Sequence, residues 1–81
     1  MDTNEIRAAV IATIKSIAPE VEEGELEPDQ PLRDQIDLDS MDWLNVIIGF
    51  HRRLKVEIPE ADYARLTTLD AIVDYLAAKL G

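Results

Sequence analysis

Ile6, Val10, Ile14 and Ile17 recur three or four positions apart, the stripe of an amphipathic helix, and predict a first helix from residue 3 to about 17. Asp2, Thr3 or Asn4 can cap its start, and Pro19 closes it. Residues 18 to 38 then form a long acidic connection punctuated by Pro19, Gly24, Pro28 and Pro31. Connections of this length are uncommon in compact domains and tend to be functional or mobile. This one carries Val21, Leu26, Leu32, Ile36 and Leu38, apolar residues that should pack it down. A second helix is predicted from about Ser40 to Leu54, ending in Arg52, Arg53 and Lys55, cations placed where the helix dipole favours them. After a short turn over 56–59, a brief third helix at about 60–65 should set Ala61, Tyr63, Ala64 and Leu66 against the rest. Thr67 or Thr68, with Asp70 following, resembles a capping box opening the last helix. Its buried face should be Leu69, Ile72, Val73, Leu76 and Leu80. No strand-length alternation, repeat or low-complexity segment interrupts this pattern. The expected fold is all-α, a small four-helix bundle with a long first loop and a short third helix, forming one domain over residues 1–81.

The second helix carries more apolar surface than one packing contact needs. Trp43, Val46, Ile47, Phe50 and Leu54 form one stripe, and Met41, Leu44 and Ile48 form another beside it. A helix on a small bundle normally buries a single stripe about 100° wide. Either the long loop folds over the surplus, or Met41, Leu44 and Ile48 stay partly exposed as a docking strip for a partner. Gly49 in mid-helix costs up to about 1 kcal/mol relative to alanine, which close approach by another helix or by a cargo chain would explain.

Composition narrows the function classes. The chain has 81 residues, enough for one modest core, and a deep walled active site is hard to build at this size. Eight Lys and Arg stand against 17 Asp and Glu, a formal charge of −9. That balance repels phosphate backbones and anionic lipid, so nucleic acid and membrane surfaces are poor partners, and basic patches on proteins are better ones. At 47% hydrophobic residues the chain is too apolar for a disordered acidic tail. It has no cysteine, so disulfides and thiolate metal sites are excluded, and any thiol it uses must come from elsewhere. Met1-Asp2-Thr3-Asn4-Glu5 lacks the positive start and apolar run of a signal peptide. Apolar runs such as Val46-Ile47-Ile48 are far too short to span a bilayer. The expected location is cytoplasmic.

Candidate chemistry gathers at Asp37-Leu38-Asp39-Ser40-Met41-Asp42, the head of the second helix. Taken alone, Asp39 followed by Asp42 is an ordinary cap, with acids on the positive end of the dipole. A calcium loop starting at Asp37 fails on spacing, because Asp42 stands where glycine is required and Ile48 where the final glutamate should be. Nucleophilic catalysis fails as well. His51, the sole histidine, lies about 16 Å along the same helix from Ser40, beyond hydrogen-bond reach, and reads as a solvated helix residue. No metal site and no catalytic residue is expected.

Asp39-Ser40-Met41 at the start of a second helix, after a long acidic loop, resembles the Asp-Ser-Leu signature of acyl carrier proteins. Val56-Glu57-Ile58-Pro59, and the stretch Thr67-Thr68-Leu69-Asp70-Ala71-Ile72-Val73-Asp74-Tyr75-Leu76, look like that family too. The similarity spans nearly the whole chain and is strongest from Asp37 to Leu76. It implies a freestanding carrier, not an enzyme. Ser40 would receive 4′-phosphopantetheine from coenzyme A through a Mg²⁺-dependent phosphopantetheinyl transferase. The arm would supply the missing thiol, and acyl groups would ride on it as thioesters between acyl-loading and acyl-transferring enzymes, the carrier acting as a monomer. Asp39, Met41, Asp42, Trp43, Leu44, Ile48, Arg52 and Arg53 are the candidate docking residues. Trp43 reads as an interface anchor or as core. In family members the helices part slightly to shelter an acyl chain, and Val46, Phe50, Leu54 and Ile58 are the candidates here, although packing alone explains them equally well.

The departures also inform. Typical fatty-acid-synthesis carriers bear acids along the second helix, which dock on basic patches of their enzymes. This chain keeps Asp42 but has Asn45, His51, Arg52 and Arg53 where acids are common. Charge reversal on a recognition face works against the usual partners, which suggests a specialised lipid or secondary-metabolite pathway with dedicated enzymes. The alternatives are an aminoacyl or peptidyl carrier, and a helical interaction module that keeps this fold without the arm.

Overall fold

The structure, a computed structural model, describes residues 2–80; Met1, part of the run read above for a leader, lies outside them. Helix α1 runs Thr3–Ile17. The Asp2 carboxylate accepts the Glu5 N–H at 2.8 Å, satisfying one of the donors that every helix start leaves free. Helix α1 ends where the Ala18 N–H bonds Ile14 O at 2.8 Å and Pro19 follows.

The long connection packs down as its apolar residues demand. Val21, Leu32, Ile36 and Leu38 are buried, and Leu26 packs against the core from a half-buried position. Two short elements break it, a 3₁₀ turn over Glu23–Glu25 and the single-turn helix α2, Leu32–Gln35. One turn is too short to show a periodic stripe, which is why neither is visible in the residue pattern. The Gln35 side chain ties the loop to itself. Its Oε1 accepts the Glu27 N–H at 2.7 Å, and its Nε2 donates to Glu27 O at 2.9 Å and Gln30 O at 3.0 Å. The loop is also sewn to the start of the last helix, with Leu32 N–H on Thr67 O at 2.9 Å and Asp70 N–H on Pro28 O at 3.0 Å.

Helix α3 occupies Ser40–Leu54 and α4 Leu69–Leu80. Thr68 caps α4, its hydroxyl oxygen accepting the Ala71 N–H at 3.0 Å. Ala71 cannot return the bond as Glu or Gln would, so the box is one-sided. The core is made by α1 against α3 and α4, with Ile6, Val10, Ile14, Val46, Phe50, Ile72 and Leu76 at its centre. Leu80 is only half-buried.

The third helix, Glu60–Arg65, is 3₁₀ in geometry. Its period of three aligns Tyr63 with Leu66 on the inward side. Leu66 is buried and Tyr63 half-buried, while Ala61 and Ala64, expected to pack inward, are exposed. Among the described residues no strand forms, apart from an isolated bridge between Pro31 and Thr68, and no helix is long and apolar enough to cross a membrane.

Candidate functional site

The head of α3 sets the site. Asp39, in extended conformation, accepts the Asp42 N–H on Oδ1 at 2.8 Å, and its carbonyl takes the Trp43 N–H at 2.9 Å. Those two bonds leave the N–H groups of Ser40 and Met41 without protein partners among the described residues. Ser40 is the first residue of α3 and is exposed. Its hydroxyl therefore stands in solvent beside free N–H donors at the positive end of a 15-residue helix. A phosphate ester on that oxygen would sit where such donors are most favourable. A bulky side chain covering Ser40, or a helix starting elsewhere, would have denied the fit, and neither is present.

The residues read as docking candidates separate by position. Met41 is 73% exposed and Leu44 and Ile48 are each 40% exposed, so the long loop does not cover them. Its buried side chains and its backbone bonds are committed to the core and to the start of α4 instead. Asp39, Arg52 and Arg53 are exposed, and Asp42 is half-buried. Trp43 packs against the core while keeping part of its surface. It borders a cleft of about 190 Å³ whose other walls include Arg33, Tyr63 and Leu66.

His51 is exposed as expected, but it is not idle. Its Nδ1 lies 2.6 Å from Val56 O and so donates there, tying the last turn of α3 to the segment that follows. Helix α3 ends at Lys55 in the left-handed region, φ 55°, the sole non-glycine residue with positive φ among the described residues. Ser40 and His51 lie on one continuous helix, which keeps them apart. Among the described residues no group of carboxylates or His could hold a metal ion.

Of the four candidates for sheltering an acyl chain, Val46 and Phe50 are fully buried and Leu54 nearly so. Ile58 differs, lining a surface cleft of about 210 Å³ with Ile47, Ile48, His51, Glu57 and Tyr63. Gly49 is explained by helix approach, because Thr13 of α1 occupies the space a side chain would need.

Tyr75, absent from the predicted core face of the last helix, is 7% exposed. Its hydroxyl donates to Asp62 Oδ2 at 2.6 Å, with Arg65 and Lys79 lying over its ring at 5.2 and 5.5 Å. Burial first, then the Asp62 carboxylate, pushes the phenol up to about 12. A residue beside the apolar stripe gives no signal of this kind, because its partner comes from the third helix.

Comparison with known proteins agrees with this geometry. The family profile described as the phosphopantetheine attachment site matches residues 8–76. An acyl carrier protein of Thermotoga maritima is 30% identical over 78 residues, covering 93% of this chain and 96% of the relative. One from Streptomyces coelicolor is 31% identical over 74 residues, covering 91% of this chain and 76% of the relative. The solution structure of an Anaplasma phagocytophilum protein assigned as an acyl carrier protein superposes with a TM-score of 0.86 at 27% identity, over 100% of this chain and 94% of that one.

Proposed function

The chain belongs to the phosphopantetheine attachment-site family, that of the acyl carrier proteins, and from that premise we propose that Ser40 is the residue that bears its arm. Proteins of this family carry acyl groups for enzymes and are not enzymes themselves, and their prosthetic group is 4′-phosphopantetheine. The observation that supports Ser40 is its exposed hydroxyl at the first position of α3, beside unpaired helix N–H groups.

In the attachment step the Ser40 hydroxyl oxygen forms a phosphodiester bond to the pantetheine phosphorus. The pyrophosphate bond of coenzyme A breaks, 3′,5′-ADP leaves, and the hydroxyl proton passes to a base on the transferase. The bound arm would supply the thiol that this cysteine-free chain lacks, on which acyl groups would be carried as thioesters. In this chain Asp39 holds the helix start in place, Ser40 would supply the oxygen, and the unpaired Ser40 and Met41 N–H groups would be the donors available to the phosphate. Residues 1–81 act as one carrier domain, monomeric and cytoplasmic. It is served by a phosphopantetheinyl transferase and by acyl-loading and acyl-transferring enzymes of a specialised lipid or secondary-metabolite pathway. Asn45, His51, Arg52 and Arg53, in place of acids along α3, support the specialised reading.

Incubation with coenzyme A, Mg²⁺ and a promiscuous phosphopantetheinyl transferase should add one arm, read by intact mass, and Ser40→Ala should abolish the gain. An unmodified wild-type chain, under conditions that modify a control carrier, would favour a helical interaction module without the arm.

A further inference from the structure

Resting on that reading of Ser40, we propose that Tyr63 sets the length of the cargo, dividing one groove beside α3 into two clefts and so denying shelter to acyl chains longer than about four or five carbons. Trp43, Ile47 and His51, each four residues from the next, form one row of α3 that starts a turn beyond Ser40 and runs for about 12 Å. Trp43 borders the cleft of about 190 Å³, and Ile47 and His51 border that of about 210 Å³. Tyr63, reaching over from the third helix, is a wall of both. Each cleft falls below the roughly 300 Å³ at which small-molecule sites begin, and the two joined would exceed it. C–C bonds of about 1.5 Å give an extended chain a rise of about 1.3 Å per carbon. The stretch of about 6 Å between Trp43 and Ile47 thus matches about four or five carbons, and the whole row about nine.

The partition is held from behind. A 3₁₀ helix repeats every three residues, so Asp62 and Arg65 share one side of the third helix, and Tyr63 aligns with Leu66 on another. On the first side the Asp62 carboxylate accepts the Tyr75 O–H at 2.6 Å, and the Arg65 guanidinium lies 5.2 Å from the centre of the Tyr75 ring. On the second, Leu66 is buried and Tyr63 half-buried. The third helix is thereby fastened to α4 while it turns Tyr63 toward α3. Beside the row the core is already filled by Val46 and Phe50, both fully buried. A chain that outgrows one cleft must leave the surface at Tyr63, and each further methylene stays in water. Short acyl groups lose nothing by this, which makes them the cargo class suited to this carrier.

The test loads Ser40 directly from butanoyl- and octanoyl-coenzyme A with a promiscuous phosphopantetheinyl transferase, each product being verified by intact mass. Melting temperature and the emission of Trp43, the sole tryptophan, are read on each loaded form. In the wild type the octanoyl form should melt within about 1 °C of the butanoyl form. In Tyr63→Ala the joined clefts should cover the octanoyl chain, raising its melting temperature over the butanoyl form by about 4 °C or more and shifting the emission. Tyr63→Phe keeps the ring and should behave as the wild type. Trp43→Ala enlarges one cleft without joining the two, and its octanoyl gain in melting temperature should be smaller than that of Tyr63→Ala. Tyr75→Phe frees Asp62 and loosens the partition, and should give a gain between those of the wild type and Tyr63→Ala. A wild type stabilised by octanoyl as much as Tyr63→Ala is, or a Tyr63→Ala variant indifferent to chain length, would overturn the partition while leaving the arm in place. A chain that takes no arm would instead overturn the reading of Ser40.

Discussion

Gly49 of α3 and Thr13 of α1 are in such close register that a Cβ added to the glycine would stand 2.5 Å from Thr13 Cγ2. Thr13 has nowhere to turn. It is 2% exposed, and its hydroxyl is committed to Ala9 O at 2.8 Å. The two principal helices of the bundle therefore touch through the smallest residue available, and the side-chain-free stretch of α3 is a condition of their packing.

Gly49→Ala should accordingly destabilise the fold, although alanine is the better helix former. Overpacking costs about 1–3 kcal/mol, against a propensity gain of up to about 1 kcal/mol. The expected net loss is about 1–2 kcal/mol in urea unfolding. Adding Thr13→Ser removes the obstructing methyl, keeps the hydroxyl bond, and should restore most of it. A stabilised Gly49→Ala single variant would contradict the contact.

The cap that Asp39 makes can be separated from the charge it places beside Ser40. As cap of α3 its carboxylate holds the Asp42 N–H, so Asp39→Ala should cost about 1 kcal/mol. Asp39→Asn should keep the cap and nearly all the stability. If the charge beside Ser40 also serves recognition, the asparagine variant will fold normally yet accept the arm more slowly. Thermal unfolding and the rate of mass gain separate the two.

The Tyr75 phenol, pushed up to about 12, makes the fold sensitive to alkali. The unfolded chain's tyrosine loses its proton near the ordinary value of about 10, so between these limits the folded state holds more protons. The stabilisation from the neutral phenol is full below about pH 10 and is lost as pH rises toward 12. In a Tyr63→Phe background, phenolate absorbance should report a single late titration from the folded protein. Adding Asp62→Asn removes the carboxylate acceptor and should move that titration to lower pH. An unchanged midpoint would show that Asp62 does not act on the phenol.

Lys55 ends α3 with φ 55°, a conformation costing L residues roughly 1–2 kcal/mol. Lys55→Gly should be tolerated without loss, because glycine's entropy penalty of roughly 0.5–1 kcal/mol is offset by the relief of strain. Lys55→Val, β-branched in the same conformation, should lose about 1 kcal/mol or more. Chemical denaturation of the pair gives the sign of each.

Much of this protein was legible in the residues one after another. Helical spacing is a local property, so the stripe Ile6, Val10, Ile14 placed α1, and the Asp39–Asp42 cap placed Ser40 at the first position of α3. Prolines and a capping threonine marked the boundaries for the same reason. What the chain order could not carry was any choice between partners distant in sequence. Whether the loop would cover Met41, Leu44 and Ile48 depended on where its backbone bonds went, and they went to Thr67 and Asp70. Gly49 alone was compatible with a helix or a cargo chain as its neighbour, and Thr13 settled the matter by occupying the space. Ala61 and Ala64 turned outward because packing drew that segment into a three-residue period. Tyr75 found its carboxylate on another element. Periodicity tells which face of a helix is apolar; what meets that face is fixed only when the whole chain has closed around it.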